Sequence, residues 1–122
     1  MQLLNINTTS LENKIEQFQD SVFLNIGPSI KRISLESILY IKGYGDYMKV
    51  QCEDDSFTVH ITMKKLEESL PENEFFRVHK SYIIRVDKID RILSKHLEIE
   101  NTMIPISRNT KGDLLNLIPL VK

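Results

Sequence analysis

The chain has 122 residues, 41% of them hydrophobic and 27% charged, the balance of one soluble globular domain with a single core. A lone cysteine, Cys52, excludes an internal disulfide and fits a reducing, cytoplasmic setting; no apolar run reaches bilayer-spanning length, and no signal peptide opens the chain. The net charge of −1 argues against a nucleic-acid partner, but its distribution does not: residues 77–122 hold nine Lys/Arg against five Asp/Glu, and residues 1–76 hold seven against twelve. A chain so divided can carry a basic face.

Residues 1–20 read as a linker with a short amphipathic helix over Ser10–Gln19, because Leu11, Ile15 and Phe18 recur at helical spacing behind the capping candidates Thr8, Thr9 and Ser10. From residue 21 the period changes. Val22–Ile26 is strand-like, Gly27-Pro28 marks a turn, and Ile30–Leu35 is a second strand. Ile38–Lys42 is a third, apolar on both faces. Gly43-Tyr44-Gly45-Asp46-Tyr47 follows as a loop able to take positive φ and to allow close backbone approach. Met48–Cys52 and Phe57–Thr62 pair across a polar turn at Glu53–Ser56. Thr62 can cap a helix that carries Met63, Leu66 and Leu70 on one stripe and stops at Pro71.

The stretch Phe75–Arg85, FFRVHKSYIIR, reads as two apolar strands around a polar interruption, and residues 75–93 as the central strand pair. Phe76 and Val78 share one face; Phe75, Arg77 and His79 share the other. His79, Lys80 and Ser81 fall where the two strands meet, either as a solvated turn or as a polar site. His96–Glu100 and Met103–Ile106 form a hairpin around Asn101-Thr102, and Pro105 marks its second strand as an edge. Ser107 or Asn109 is positioned to cap a last helical turn with Leu114, Leu115 and Ile118. About nine short strands and two or three short helices predict a mainly β fold of stacked antiparallel sheets, an elongated sandwich-like arrangement that carries function on its loops.

The pattern favours no enzyme. His60, His79 and His96 lack ligand spacing with Cys52 or a carboxylate, so no metal is expected, and His60 alternates with Val59 and Ile61 as a strand-face histidine would. Ser81 and Cys52 show no activating arrangement, and Gly43/Gly45 lacks the lysine and flanking helix of a phosphate loop. Cys52 reads as a core residue. No cofactor and no small-molecule substrate are implied. What remains is Lys42, Lys49, Lys80, Arg108 and Lys111 on loops with Tyr44 and Tyr47, side chains able to meet phosphates and base edges.

Three blocks in order are more specific than any one of them. ILYIKGYGDYMKV at 38–50, MKKLEESL at 63–70 and FFRVHKSYIIRVDKIDRI at 75–92 resemble the LytTR-type DNA-binding domain of bacterial response regulators. Phe76, Arg77, His79, Ser81, Tyr82, Ile83 and Ile84 fill that family's F-x-R-x-H-x-S signature region, and PISRNTKGDLLNLI at 105–118 resembles its usual close. The resemblance spans Val22 to Ile118 and assigns residues 21–122 to one such domain. It implies double-stranded DNA as partner, bound by loops that enter successive major grooves, two copies on paired half-sites, and control of transcription. By position it places base contacts at Lys80, Arg108, Tyr47 and Met48, the last two on a looser match. Backbone contacts are implied at Lys42, Lys49, Tyr44, Arg77, Ser81, Asn109 and Lys111, with Arg77 equally readable as a salt-bridged surface residue. His79, with Ser81, is read as orienting the turn. A receiver domain would precede it if the chain is a fragment; otherwise it is a stand-alone regulator. A protein-interaction module that has kept the fold and lost DNA is the alternative.

Overall fold

The computed structural model describes residues 20–122. Among these, ten strands form three antiparallel sheets. β1 (Ser21–Ile26) and β2 (Ser29–Ser34) make a ribbon around Gly27, whose φ of +58° suits glycine. A 3₁₀ turn at Leu35–Ser37 leads into β3 (Ile38–Tyr44), followed by β4 (Tyr47–Cys52) and β5 (Ser56–Val59). Helix α1 (Met63–Ser69) is capped by Thr62, whose side chain accepts the Lys65 N–H at 3.1 Å. β6 (Phe75–His79) and β7 (Tyr82–Arg85) return beside β3, giving a five-stranded sheet in the order β5-β4-β3-β7-β6. β8 (Arg91–Ile92), β9 (His96–Ile99) and β10 (Thr102–Pro105) form a three-stranded sheet in the order β10-β9-β8, and α2 (Lys111–Leu115) closes the described chain.

The five-stranded sheet is the middle layer, because its strands alternate between two separate cores. Ile41, Val50, Phe75 and Ile83 pack with the β1–β2 ribbon and α1, whose contributions include Val22, Leu24, Ile33 and Leu66. Leu39, Val78 and Ile84 pack the other way, against Leu97, Ile99, Ile104 and Leu114. Each such side chain contributes about 1.5–3 kcal/mol on burial. A register shift between Ile38 and Tyr40 lets Leu39 join the same core as Tyr40, and this accounts for a strand that reads as apolar on both faces.

The stacked-sheet fold expected from the pattern is the fold observed, with differences of detail. The 75–93 stretch does not supply the centre: β3 lies in the middle, and β6 is an edge. β5 ends at Val59, so His60 leaves the strand and is exposed in the connection to α1. The last hairpin turns at Glu100-Asn101, not Asn101-Thr102; both residues have positive φ (45° and 68°), as a type I′ turn requires. α2 starts after Thr110 and not after Ser107 or Asn109. The helix expected over Ser10–Gln19 lies outside the described residues.

Buried Arg85, 8% exposed, ties the chain together at one end of the middle sheet. It donates to Glu74 Oε1 at 2.9 Å, to Asp87 Oδ1 at 2.8 Å and to the Leu35 carbonyl at 3.1 Å, and lies over the Phe75 ring. A buried guanidinium is tolerated only with this many acceptors.

Candidate nucleic-acid interface

Strand register decides which loops share an end. Tyr44 pairs with Tyr47, Lys42 with Tyr82, Met48 with Val59, and His79 with Tyr82. The Gly45-Asp46 turn, the His60–Thr62 connection and the Lys80-Ser81 turn therefore leave the middle sheet together. The Gly43 N–H donates to the Ser81 carbonyl at 2.8 Å and fastens the first turn to the third. The three-stranded sheet is tied to the same end. The Ser107 N–H and the Thr110 hydroxyl both donate to the Val78 carbonyl at 2.9 Å, and the Ile106 N–H donates to the Lys95 carbonyl. Thr110 thus spends its hydroxyl on β6 and on Ser107, with no side-chain cap for α2.

The local chemistry follows from these attachments. Gly45 takes φ +70° and lets the turn reverse, whereas Gly43 stays in the strand, where an added Cβ would lie 3.2 Å from Met63 Cε. Tyr44 stacks on Tyr47 with ring centroids 5.5 Å apart, and Tyr47 meets His60 at 5.9 Å. Lys42 Nζ lies 4.8 Å from the Tyr44 ring centroid and 5.7 Å from that of Tyr82. Hydrogen bonding to Tyr44, and secondarily to Tyr82, pushes the Lys42 pKa up from 10.5, so the ammonium stays charged throughout the neutral range. Lys42 also stands directly opposite Lys49. Like charges facing across a strand pair destabilise it, so this pair suits an anionic partner better than an isolated fold.

Lys80 and Arg108 are exposed at this end, as are Asn109 and Lys49. The Lys80 turn is held from within: His79 Nδ1 accepts the Ser81 N–H at 3.1 Å, and Arg77 donates to the Lys80 carbonyl at 2.8 Å. Arg77 is also paired with Glu67 at 3.2 Å. Lys111 Nζ donates to the Leu93 and Ser94 carbonyls at 3.0 and 3.2 Å and so pins the β8–β9 connection. Met48 does not belong with the surface set. It is 3% exposed in the core with Met63, because its strand position faces the ribbon and α1. A side chain so placed cannot reach a base without leaving that core. Cys52 is buried in the same core, and burial pushes its thiol pKa up from 9.0.

Sequence reasoning passes over three residues at this end. His60 looks like a strand residue until β5 stops short. Lys95 and His96 carry no local signal; only the hydrogen bond from Ile106 brings their connection here. An open cleft of about 620 Å³ runs between Lys80-Ser81 and Gly45-Asp46, with His60 and Thr62 on its wall. Asp46 is its acidic member. The opposite end of the strands gathers Glu36, Glu53, Asp54, Asp55, Asp87 and Glu100, linked by Glu53 to Ser37 and to Lys88, and by Glu100 to Asp90. Charge is therefore unevenly divided along the strands: Lys42, Lys49, Lys80, Lys95 and Arg108 outnumber Asp46 at one end, and the carboxylates outnumber Arg85, Lys88 and Arg91 at the other. The division between sequence halves only hints at this.

The chain is similar in sequence and fold to several known proteins. Residues 28–118 match the family model described as the LytTr DNA-binding domain. The sensory transduction protein LytT of Bacillus subtilis is 26% identical over 121 residues, covering 94% of this chain and 50% of that protein. The heme-containing CO-sensing transcriptional regulator RcoM 1 of Paraburkholderia xenovorans is 26% identical over 96 residues, covering 73% of this chain and 36% of the relative. The chain thus spans half or less of the length of these curated relatives. A solved LytTr DNA-binding domain of a putative methyl-accepting/DNA response regulator from Bacillus cereus superimposes with a TM-score of 0.70 over 83% of this chain and 98% of that one, at 20% identity, a likeness of fold. A match across three quarters of the sequence, on a sheet stack of the same shape, makes the chain a member of the LytTR DNA-binding domain family.

Proposed function

We propose that the chain recognises a particular duplex sequence with the loops at the Gly45 end and serves transcription control as the DNA-binding part of a response regulator. The observation that carries this reading is the joining of the Gly45, Lys80 and Arg108 loops at one end by hydrogen bonds to Ser81 and Val78, with cations exposed on them. Lys80 and Arg108 are the base readers, arginine being suited to the O6/N7 edge of guanine. Tyr47 joins them at the bases, and Tyr44, Lys42, Lys49 and Asn109 meet the sugar-phosphate backbone, with Ser81 beside them. Lys111 and Arg77, whose donors are turned inward, contribute by shaping the loops. Recognition here requires no reaction. Two copies on paired half-sites, an upstream receiver domain and a cytoplasmic setting complete the reading; no helix among the described residues is long and apolar enough to cross a membrane.

A pure protein-interaction role draws its support from the near-neutral net charge. That support weakens once the charges are sorted by end, since a duplex held at the Gly45 end meets mainly the cations. The test is to select bound duplexes from a random pool and then measure Lys80→Ala and Arg108→Ala on the selected site. Each substitution is expected to cost about 1–3 kcal/mol and to relax preference at one base pair. Wild-type affinity and preference in both variants would remove these two residues as readers. Failure to select any duplex, with no salt-sensitive binding to mixed DNA, would favour the protein-interaction role.

A further inference from the structure

Arg77 commits both branches of its guanidinium. Nη1 donates to Glu67 Oε1 on α1 at 3.2 Å, and Nη2 donates to the carbonyl of Lys80 at 2.8 Å. Between Arg77 and His79 the pairing of β6 with β7 shifts register. Such an irregularity re-aims the residues that follow it and needs a support, because part of the ladder is lost. The supports lie around Lys80. Its own carbonyl is held by Arg77, the next N–H by His79 Nδ1, and the next carbonyl by the Gly43 N–H. The Lys80 side chain alone is left exposed at the tip.

We infer that Arg77 is a positioning residue for Lys80 and not a phosphate ligand: its fork clamps the turn to α1 through Glu67 and sets the direction in which Lys80 leaves the sheet. This rests on Lys80 being a base reader. The planar guanidinium offers two separate N–H edges in fixed geometry, which is what bridging a carboxylate and a carbonyl demands. A lysine keeps the charge but presents one ammonium on a flexible stem and cannot hold both acceptors in that arrangement. The Arg77–Glu67 pair is partly solvated, with side chains 30% and 45% exposed. Such pairs add little to stability, so the direction of the turn is what a change at Arg77 alters.

The experiment uses the full chain and a duplex that the chain itself selects from a random pool, together with every single-base-pair variant of it. Lys80→Ala, Arg77→Lys, Glu67→Gln and the Arg77→Lys/Lys80→Ala double variant are compared for discrimination at each position, for salt dependence and for melting temperature. Arg77→Lys is expected to reduce discrimination roughly tenfold at the same base pair that Lys80→Ala affects, with wild-type salt slope and melting temperature. Glu67→Gln should produce a smaller loss there, and the double variant should be no worse than Lys80→Ala. Equal weakening on all duplexes, with the salt slope lower by about one, would make Arg77 a phosphate ligand and overturn the inference. Additive losses in the double variant would overturn it too, since independent contacts add. If Lys80→Ala discriminates like wild type everywhere, Lys80 is not a reader, and the proposed site fails before the question of its positioning arises. If Arg77→Lys melts early, Glu67→Gln decides: a wild-type profile in that variant rejects the clamp.

Discussion

At the scale of single residues, the polar side chains with most inward partners are the ones that shape the surface. Arg85 shows the cost of such a role. Arg85→Met would fill similar space but take the hydrogen-bond donors away from the Leu35 carbonyl, Glu74 and Asp87. Because Glu74 and Asp87 keep access to water, with side chains 32% and 64% exposed, the expected loss is about 2–4 kcal/mol. Urea unfolding would measure it. The variant, where folded, should keep the base preference of the wild type, because Arg85 lies at the end of the sheet away from Gly45. In the sequence, Arg85 is only an interruption of an apolar run; Asp87 lies close by, but its partners at positions 35 and 74 have no local trace. Met48 fails the same way in reverse. Sitting beside a loop of the right composition, it looks available, and only the pleat of β4 shows that it faces inward. Lys80, Arg108 and Asn109 needed no such knowledge, since polar residues between apolar strands are exposed almost by construction.

At the scale of elements, periodicity captured strands and helices well, because the outer layers bury one face and the strands of the middle sheet alternate between two cores. Boundaries moved where a hydrogen bond outside the element overrode local preference. Thr110 moved the start of α2 by binding Val78, and the I′ geometry moved the last hairpin onto Glu100-Asn101. The Lys42–Lys49 pair is an element-level feature that no single position reveals, since it depends on the register of β3 against β4. Lys49→Thr would place threonine beside Thr58 on the neighbouring strand and end the facing of two ammonium groups. This change should stabilise the free domain by roughly 0.2–1 kcal/mol. It should weaken duplex binding and lower the salt slope by about one. Thermal melts and salt titrations would check both signs. A loss of both stability and affinity would mean that the facing lysines are merely structural.

At the scale of the whole molecule, the order of strands explains why blocks far apart in sequence act at one place. β3 pairs with β7 and β4, so residues 42–47 and 79–82 emerge together; the stacking of a second sheet on Val78 adds residues 107–110. Composition cannot reveal this, and half-chain charge counts blur it, because both ends draw residues from both halves. The carboxylate end is separated from the cationic end by the length of β3, seven residues or roughly 24 Å at about 3.4 Å each. That exceeds the screening length of about 8 Å at physiological ionic strength. Asp54→Asn/Asp55→Asn, both exposed at the far turn, should therefore leave the dissociation rate from a selected site unchanged. The same variant should bind unselected duplex more tightly at low salt, as stopped-flow and competition measurements would show. An unchanged preference for selected over unselected DNA would mean that the far carboxylates play no part in discrimination.

Two ends of opposite net sign on one body make a permanent moment aligned with the strands. In the field of a polyanion such a body swings round before it touches. Collisions made backwards are rejected within a few ångströms of the phosphates, while those made loops-first are drawn in. The far carboxylates, which touch no base, would then shorten the search by leaving the domain fewer wrong ways to land.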